Sequence, residues 1–209
     1  MSAEYARKKT SRKNPFRRIQ YNAPFTLTFA IISLAVLGLD RLTDGVSTIR
    51  FFSVYSAPLT DPLTYFRFFG HILGHVSLQH YAGNFLILLM VGPLLEEKYG
   101  SGLLAVMTAV TALVTGILFV VLTKGALLLG ASGIVFMLIL LSSFANLQQG
   151  RFPLTLVAAL VVYLGQEIYT GITRDDNISQ LAHIIGGLCG VLFGFFISKL
   201  AKKKTRRKY

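Results

Sequence analysis

The sequence predicts an all-α polytopic membrane protein: a bundle of six transmembrane helices with a short, recessed fourth span. Three observations predict it. Of 209 residues, 53% are hydrophobic and only 14% charged, with a mean hydropathy of +0.59, beyond what a soluble domain of this length carries. The apolar runs are long and nearly free of charge, as membrane spans are. The basic residues gather at the two ends. Arg7, Lys8, Lys9, Arg12, Lys13, Arg17 and Arg18 precede Pro24, and Lys199, Lys202, Lys203, Lys204, Arg206, Arg207 and Lys208 close the chain.

Taken in order, residues 1–23 form a basic tail, 24–200 a membrane domain and 201–209 a second basic tail. The expected spans are 24–39, 80–95, 101–122, 126–145, 152–172 and 178–200. The apolar run after the first tail has no small-residue cleavage pattern, so a cleaved secretory signal is not expected. Basic tails are held on the cytoplasmic side, and two cytoplasmic ends require an even number of spans. The loops "EEKYGS" and "ANLQQGR" then face the cytoplasm, and 40–79, 123–125 and 173–177 face outward. The loop 40–79 is too apolar for a free linker; its "TYFRFFGHILGH" is expected to lie partly in the membrane interface with short amphipathic helices.

The net charge of +12 raises the question of nucleic acid. No basic face runs through a folded domain, so the charge reads as a topology signal with attraction to anionic lipid, and no nucleic-acid partner is expected. Cys189 is the single cysteine, which excludes an intrachain disulfide and a multi-cysteine metal site. It reads as a small buried apolar residue. Glu167 is the one acid within a span and lies near its outer end, as a solvated interfacial carboxylate would.

Polar groups inside spans are costly and tend to be functional. "HYAGN" places His80 and Asn84 four residues apart on one helical face. "AHIIGGLCGVLFG" puts His183, Gly186, Gly190 and Gly194 in one stripe, where the missing side chains let a partner helix approach. At ~1.5 Å of rise per residue, Ser132 lies about 21 Å above the cytoplasmic end of its span, His183 and His80 about 24 Å and Asn84 about 18 Å. All four reach similar height below the outer surface. The fourth helix therefore cannot begin at that surface, and "KGALLLG" is expected to descend as non-helical backbone shielded by protein.

That arrangement suits acyl transfer. A serine needs a base to take its proton, and His183 can serve Ser132. A serine at a helix start has backbone N–H groups near it that can bind an oxyanion, with His80 and Asn84 offering side-chain donors at the same depth. No carboxylate is placed to orient the histidine, so a Ser–His dyad is the economical reading, with Phe136 one turn after Ser132 able to pack on the imidazole. Taken alone, "GASG" in a span fits small-residue packing as well as chemistry, and His80–Asn84 fits an interhelical hydrogen bond. His71 and His75, in the outer loop, read as structural hydrogen-bonding groups, since no carboxylate or cysteine completes a zinc site.

At these residues the chain resembles the rhomboid intramembrane serine proteases of the six-span bacterial type. The shared pattern is His80 and Asn84 in the second span, Gly130-Ala131-Ser132-Gly133 in the fourth, and Ala182-His183 followed by Gly186, Gly190 and Gly194 in the sixth. Arg67 and the histidines of the outer loop, and "GPLLEEKYGS" after the second span, also match. The resemblance covers about residues 60 to 196, and the three motifs in order are specific. It implies Ser132 as nucleophile, His183 as general base and acid, and His80, Asn84 and the Ser132 N–H as oxyanion hole. Gly130 and Gly133 would permit the loop-to-helix turn. Two positions depart from the pattern: Phe136 stands where tyrosine is common, and Phe66 where tryptophan often precedes the arginine. The chain has no Trp at all.

The resemblance implies single-span membrane proteins as substrates, cleaved near the outer end of the span, with no cofactor and no metal. It also implies a multi-pass place in the bacterial plasma membrane, with the bilayer itself as a partner. Oligomeric state is left open. Two other readings are weighed beside it. A non-catalytic scaffold that escorts membrane clients would typically lack the serine or the histidine, and both are present. A transporter or metal handler using the four histidines would show inverted repeats, and none is visible.

Overall fold

The computed structural model describes residues 21–147, 154, 161, 165 and 177–206. Apart from three positions, the fifth span expected at 152–172, with Glu167, falls outside the described residues. So do residues 173–176 of the outer loop after it, 1–20 of the first basic tail and 207–209 of the second. Seven helices are described: α1 (Pro24–Leu42), α2 (Val46–Phe51), α3 (Pro62–Gly70), α4 (Leu78–Tyr99), α5 (Ser101–Leu122), α6 (Ser132–Leu147) and α7 (Asn177–Arg206). Helices α1, α4, α5 and the Gln180–Ile197 part of α7 are each long and apolar enough to cross a membrane. Helix α6 is shorter, at 16 residues. It starts at Ser132, six residues later than the span expected at 126–145.

The helix starts arise from local chemistry. Pro24 opens α1, where its fixed φ suits a helix and its missing N–H is no loss. The next two N–H groups have no intrahelical partner. Glu96, near the end of α4, accepts them: Phe25 N at 2.7 Å and Thr26 N at 2.9 Å. The same carboxylate accepts the hydroxyls of Thr26 at 2.7 Å and Ser101 at 2.6 Å. One buried acid thus ties the start of α1 to the α4–α5 corner, where a negative charge suits the positive end of the α1 dipole. Helix α4 begins at the cap Ser77, whose hydroxyl accepts His80 N–H at 3.1 Å.

The expected outer loop 40–79 folds as α2, α3 and the turn between α3 and α4. Asp61 caps α3 by accepting Leu63 N–H at 2.9 Å, and its other oxygen takes Arg67 Nη1 at 3.2 Å. Arg67 also donates from Nε to Arg50 O at 2.8 Å, and its guanidinium lies over the Tyr55 ring, 4.7 Å from the centroid. This buried arginine thus has a carboxylate, a carbonyl and a ring as partners within the loop, which is what lets a charged group stay there.

Helix α6 lies inside the bundle, against α4, α5 and α7. Every residue from Gly133 to Ile139 is buried. The other long helices turn apolar side chains outward, including Ile31, Leu34, Leu86, Met90, Val106 and Ile184, as helices bathed in lipid do. Among the described residues there is no strand; a single antiparallel bridge pairs Val54 with Leu128, N to O at 2.9 and 3.0 Å. That bridge pins the chain just before α6 to the segment after α2.

Candidate active site

Residues 123–131 run as non-helical backbone between α5 and α6. Three contacts in succession hold their last stretch. The Leu128–Val54 bridge is the first. Gly130 N–H donates to His71 O at 2.9 Å. Ala131 N–H donates to His75 Nε2 at 3.3 Å. The first helical bond of α6 runs from Val135 N–H to Ala131 O at 2.9 Å. Ser132 therefore stands at the first turn, where backbone N–H groups lie outside the helical ladder. The peptide between residues 131 and 132 is trans. With Ala131 C=O aimed along α6, the Ser132 N–H points the opposite way, out of the helix start. The serine is half-buried.

Gly130 has φ +117°, a conformation that side chains rarely adopt. A methyl group there would also lie 2.9 Å from Cε1 and Nε2 of His80. The glycine is thus required twice over, and the His80 imidazole sits against the backbone that leads into Ser132. Asn84, one turn along α4, is buried and donates from Nδ2 to His80 O at 3.1 Å.

The other side of the site comes from α7. A methyl group at Gly186 would collide with Gly133 O, and one at Gly190 with Met137 O. Without those side chains, α6 and α7 meet backbone to backbone; a methyl at Gly133 would lie 3.2 Å from Ala182 O. Direct packing of this kind holds helices together in lipid, where burial of apolar surface gives no drive. Its consequence is positional. His183, next to Ala182, is buried with its ring stacked on Phe136, centroids 4.6 Å apart and planes 16° from parallel. Phe136 lies one turn after Ser132 on α6. The structure thus brings His183 and Phe136 together beside the Gly133–Gly186 contact, one turn from Ser132, and sets His80 against Gly130, with Asn84 one turn further along α4. Gly190 lies one turn further along the same helix contact.

The spacing of the motifs did not signal the grip of the 71–75 turn on residues 130 and 131. His71 is buried and donates from Nε2 to Ala112 O at 3.1 Å, while its own carbonyl holds Gly130. His75 is fully buried, and burial holds its pKa down at about 4, with the neighbouring His80 adding to the effect. Burial likewise holds His71 at about 4. The clue available in the sequence was two histidines four apart in an apolar loop. Among the described residues, no three His, Cys, Asp or Glu side chains converge as a metal site would.

A family model described as the rhomboid domain matches residues 62–200. The chain is 31% identical over 154 residues to Rhomboid protease GlpG of Salmonella choleraesuis (strain SC-B67), which covers 69% of this chain and 54% of that protein. It is 33% identical over 105 residues to Rhomboid protease GlpG of Klebsiella pneumoniae subsp. pneumoniae, covering 48% of this chain and 37% of that one. Rhomboid-related protein 1 of Caenorhabditis elegans is 30% identical over 141 residues, 63% of this chain and 39% of the relative. The chain thus spans between about a third and about half of the length of these curated relatives. With the rhomboid model matching most of its length and with several helices fit to cross a bilayer, the chain is a multi-pass integral membrane protein and belongs to the rhomboid family.

Proposed function

We propose that this protein is an intramembrane serine endopeptidase that cuts transmembrane segments of other membrane proteins through a Ser132–His183 dyad. The observation that carries the reading is the α6–α7 contact. It sets His183, stacked on Phe136, beside a helix that begins at a half-buried serine. Membership of a family that includes proteins named rhomboid proteases supports it.

In this reading Ser132 Oγ attacks the scissile carbonyl carbon while His183 accepts the hydroxyl proton. The negative charge moves to the carbonyl oxygen, which is met by the Ser132 N–H, the His80 side chain and Asn84 Nδ2. Collapse of the intermediate breaks the C–N bond, and His183 returns the proton to the leaving amine. Water then adds to the acyl-enzyme by the same route in reverse, freeing the new carboxylate and Ser132. Phe136 steadies the imidazole by stacking, where a tyrosine would add a hydroxyl. No metal or cofactor enters.

Six spans, with the one outside the described residues as the fifth, would place both basic tails in the cytoplasm. They would make α6 a short fourth span recessed from the outer surface. The substrate is a single-span protein whose helix unwinds near its outer end, in keeping with residence in a bacterial plasma membrane. The test is turnover in reconstituted vesicles of a panel of single-span proteins with helix-destabilising residues near one end. Wild type should cleave at least one, and Ser132→Ala and His183→Ala should each lower the rate by at least about 10³-fold. Binding of clients without cleavage by wild type would turn the assignment to a scaffold.

A further inference from the structure

The geometry points to His75 as a positioning residue for the nucleophile: its neutral imidazole grips the Ala131 N–H and so sets the direction of the Ser132 N–H. The inference rests on the protease reading of the Ser132–His183 site and adds to it a residue outside the catalytic motifs.

The hydrogen bonds define one tautomer. Nδ1 of His75 lies 3.2 Å from Leu73 O, and a carbonyl can only accept, so Nδ1 carries the hydrogen. Nε2 lies 3.3 Å from Ala131 N, and an amide can only donate, so Nε2 carries the lone pair. A neutral ring with hydrogen on Nδ1 meets both demands at once. An imidazolium would set a second N–H against the Ala131 N–H and lose the bond.

The surroundings enforce the neutral form. The ring is fully buried. It meets three rings of α4 at an angle: His80 at 4.9 Å, Tyr81 at 5.6 Å and Phe85 at 5.6 Å. Of the side chains on these elements, His80 and Tyr81 are the titratable ones that face it. Burial and the nearness of His80 both oppose its protonation, and its pKa lies at about 4.

The grip matters because Ser132 is the very next residue. Gly130 N–H is held by His71 O and Ala131 N–H by His75, so two successive peptides before Ser132 are fixed from the same turn. Ala131 O is fixed in turn by Val135 N–H. The direction of the Ser132 N–H is therefore set from both ends. His75 also braces His80, the side chain that meets the Gly130 backbone. Releasing Ala131 lets the oxyanion donor and the serine drift together, with the substrate-binding surface untouched.

The test is the rate of labelling of purified protein in detergent by a fluorophosphonate, resolved into a maximal inactivation rate and an apparent binding constant. Three forms are compared: wild type, His75→Phe, which keeps a ring and loses the acceptor, and His75→Gln, whose amide oxygen can take the Ala131 N–H. His75→Phe should lower the maximal rate by about 10- to 100-fold, the effect of small misplacement at a reacting centre. The binding constant should stay as in wild type, and His75→Gln should recover most of the rate. A wild-type rate in His75→Phe would overturn the proposal, as would equal losses in both variants at equal melting temperature.

Should His75→Phe not fold, the acid limbs of wild type and His75→Gln decide. Below about pH 4 the wild-type rate should fall with one more proton than that of His75→Gln, since the two proteins differ in no other titratable group. Coincident limbs would contradict the role. Labelling that persists in Ser132→Ala would instead defeat the protease reading, whatever His75 does.

Discussion

Two helix contacts in this molecule are built in opposite ways. Helices α6 and α7 touch through what they lack. Gly133, Gly186 and Gly190 leave nothing between the two backbones, and the distance is set by carbonyl oxygens against Cα atoms. Helices α1 and α4 touch through what they carry. Glu96 accepts the first N–H groups of α1, Tyr81 donates its hydroxyl to Ala30 O at 3.0 Å, and Phe29 packs on Phe85 with centroids 5.4 Å apart. Side chains can shift or rotate to absorb a change, and backbones in contact cannot. The contact without slack is the one that places His183 beside the start of α6. The adaptable one is anchored at Glu96, about three turns along α4 from Asn84. Rigid backbone is thus placed where position matters most.

The contrast breaks most sharply at Gly186. Gly186→Val forces a branched side chain into Gly133 O, so the helices must separate. We expect loss of both the folded form and all labelling by a fluorophosphonate. Gly186→Ala should retain fold in part while losing at least about 10²-fold in rate, since a shift near 1 Å at a reacting centre costs that much. Thermal melting and labelling rate, measured together, check both. Near wild-type labelling in Gly186→Ala would mean that the contact has slack after all.

At the other contact, Glu96→Ala should cost stability on the order of 3 kcal/mol, because four donors lose a charged acceptor in a site closed to water. The remaining folded protein should label at close to the wild-type rate, since α1 can adjust without moving α7. Glu96→Gln keeps one acceptor oxygen and should fall in between. A fall in labelling rate of folded Glu96→Ala, as large as that of Gly186→Ala, would erase the distinction between the two contacts.

The smallest effect near neutrality is that of pH on the turn that holds the lead-in to α6. His71 and His75 are both pushed down to about 4 by burial, so the native state keeps them neutral while the unfolded chain takes up protons below about pH 6.5. Their stabilising contribution is complete above that pH and declines as pH falls from about 6.5 toward 4, with no further loss from these groups below. By pH 5.5 each should have cost about 1.4 kcal/mol. Melting temperatures from pH 7 to pH 4 should fall, and His71→Gln should flatten the slope by one proton. An unchanged slope would place the acid sensitivity elsewhere.

How much of this was legible in the sequence depends on the range of each contact. Long uncharged runs mark α1, α4, α5 and α7 by themselves, because a span needs only length and apolarity. The glycine stripe of α7 announced a close approach, and the one-turn spacing of Ser132 and Phe136 put both on one face. For α6 the matched depths of Ser132, His183, His80 and Asn84 foretold the non-helical "KGALLLG" that the structure has, but not what holds it open, since Val54 and the 71–75 turn lie far away in the chain. The same distance hid the grip of Glu96 on α1, some 70 residues earlier. One of two adjacent glutamates at the end of a span looks like a solvated charge until the helix it caps is brought to it. His71 and His75 read as structural hydrogen-bonding groups, but which backbone they held could not be read from spacing.

Everything proposed for the site turns on Ser132 being the reacting nucleophile. That is tested most directly by labelling wild-type protein with a fluorophosphonate, digesting it and locating the adduct by mass spectrometry. A single modified residue, Ser132, is expected, with labelling abolished in His183→Ala. An adduct on another serine, or undiminished labelling in His183→Ala, would contradict it.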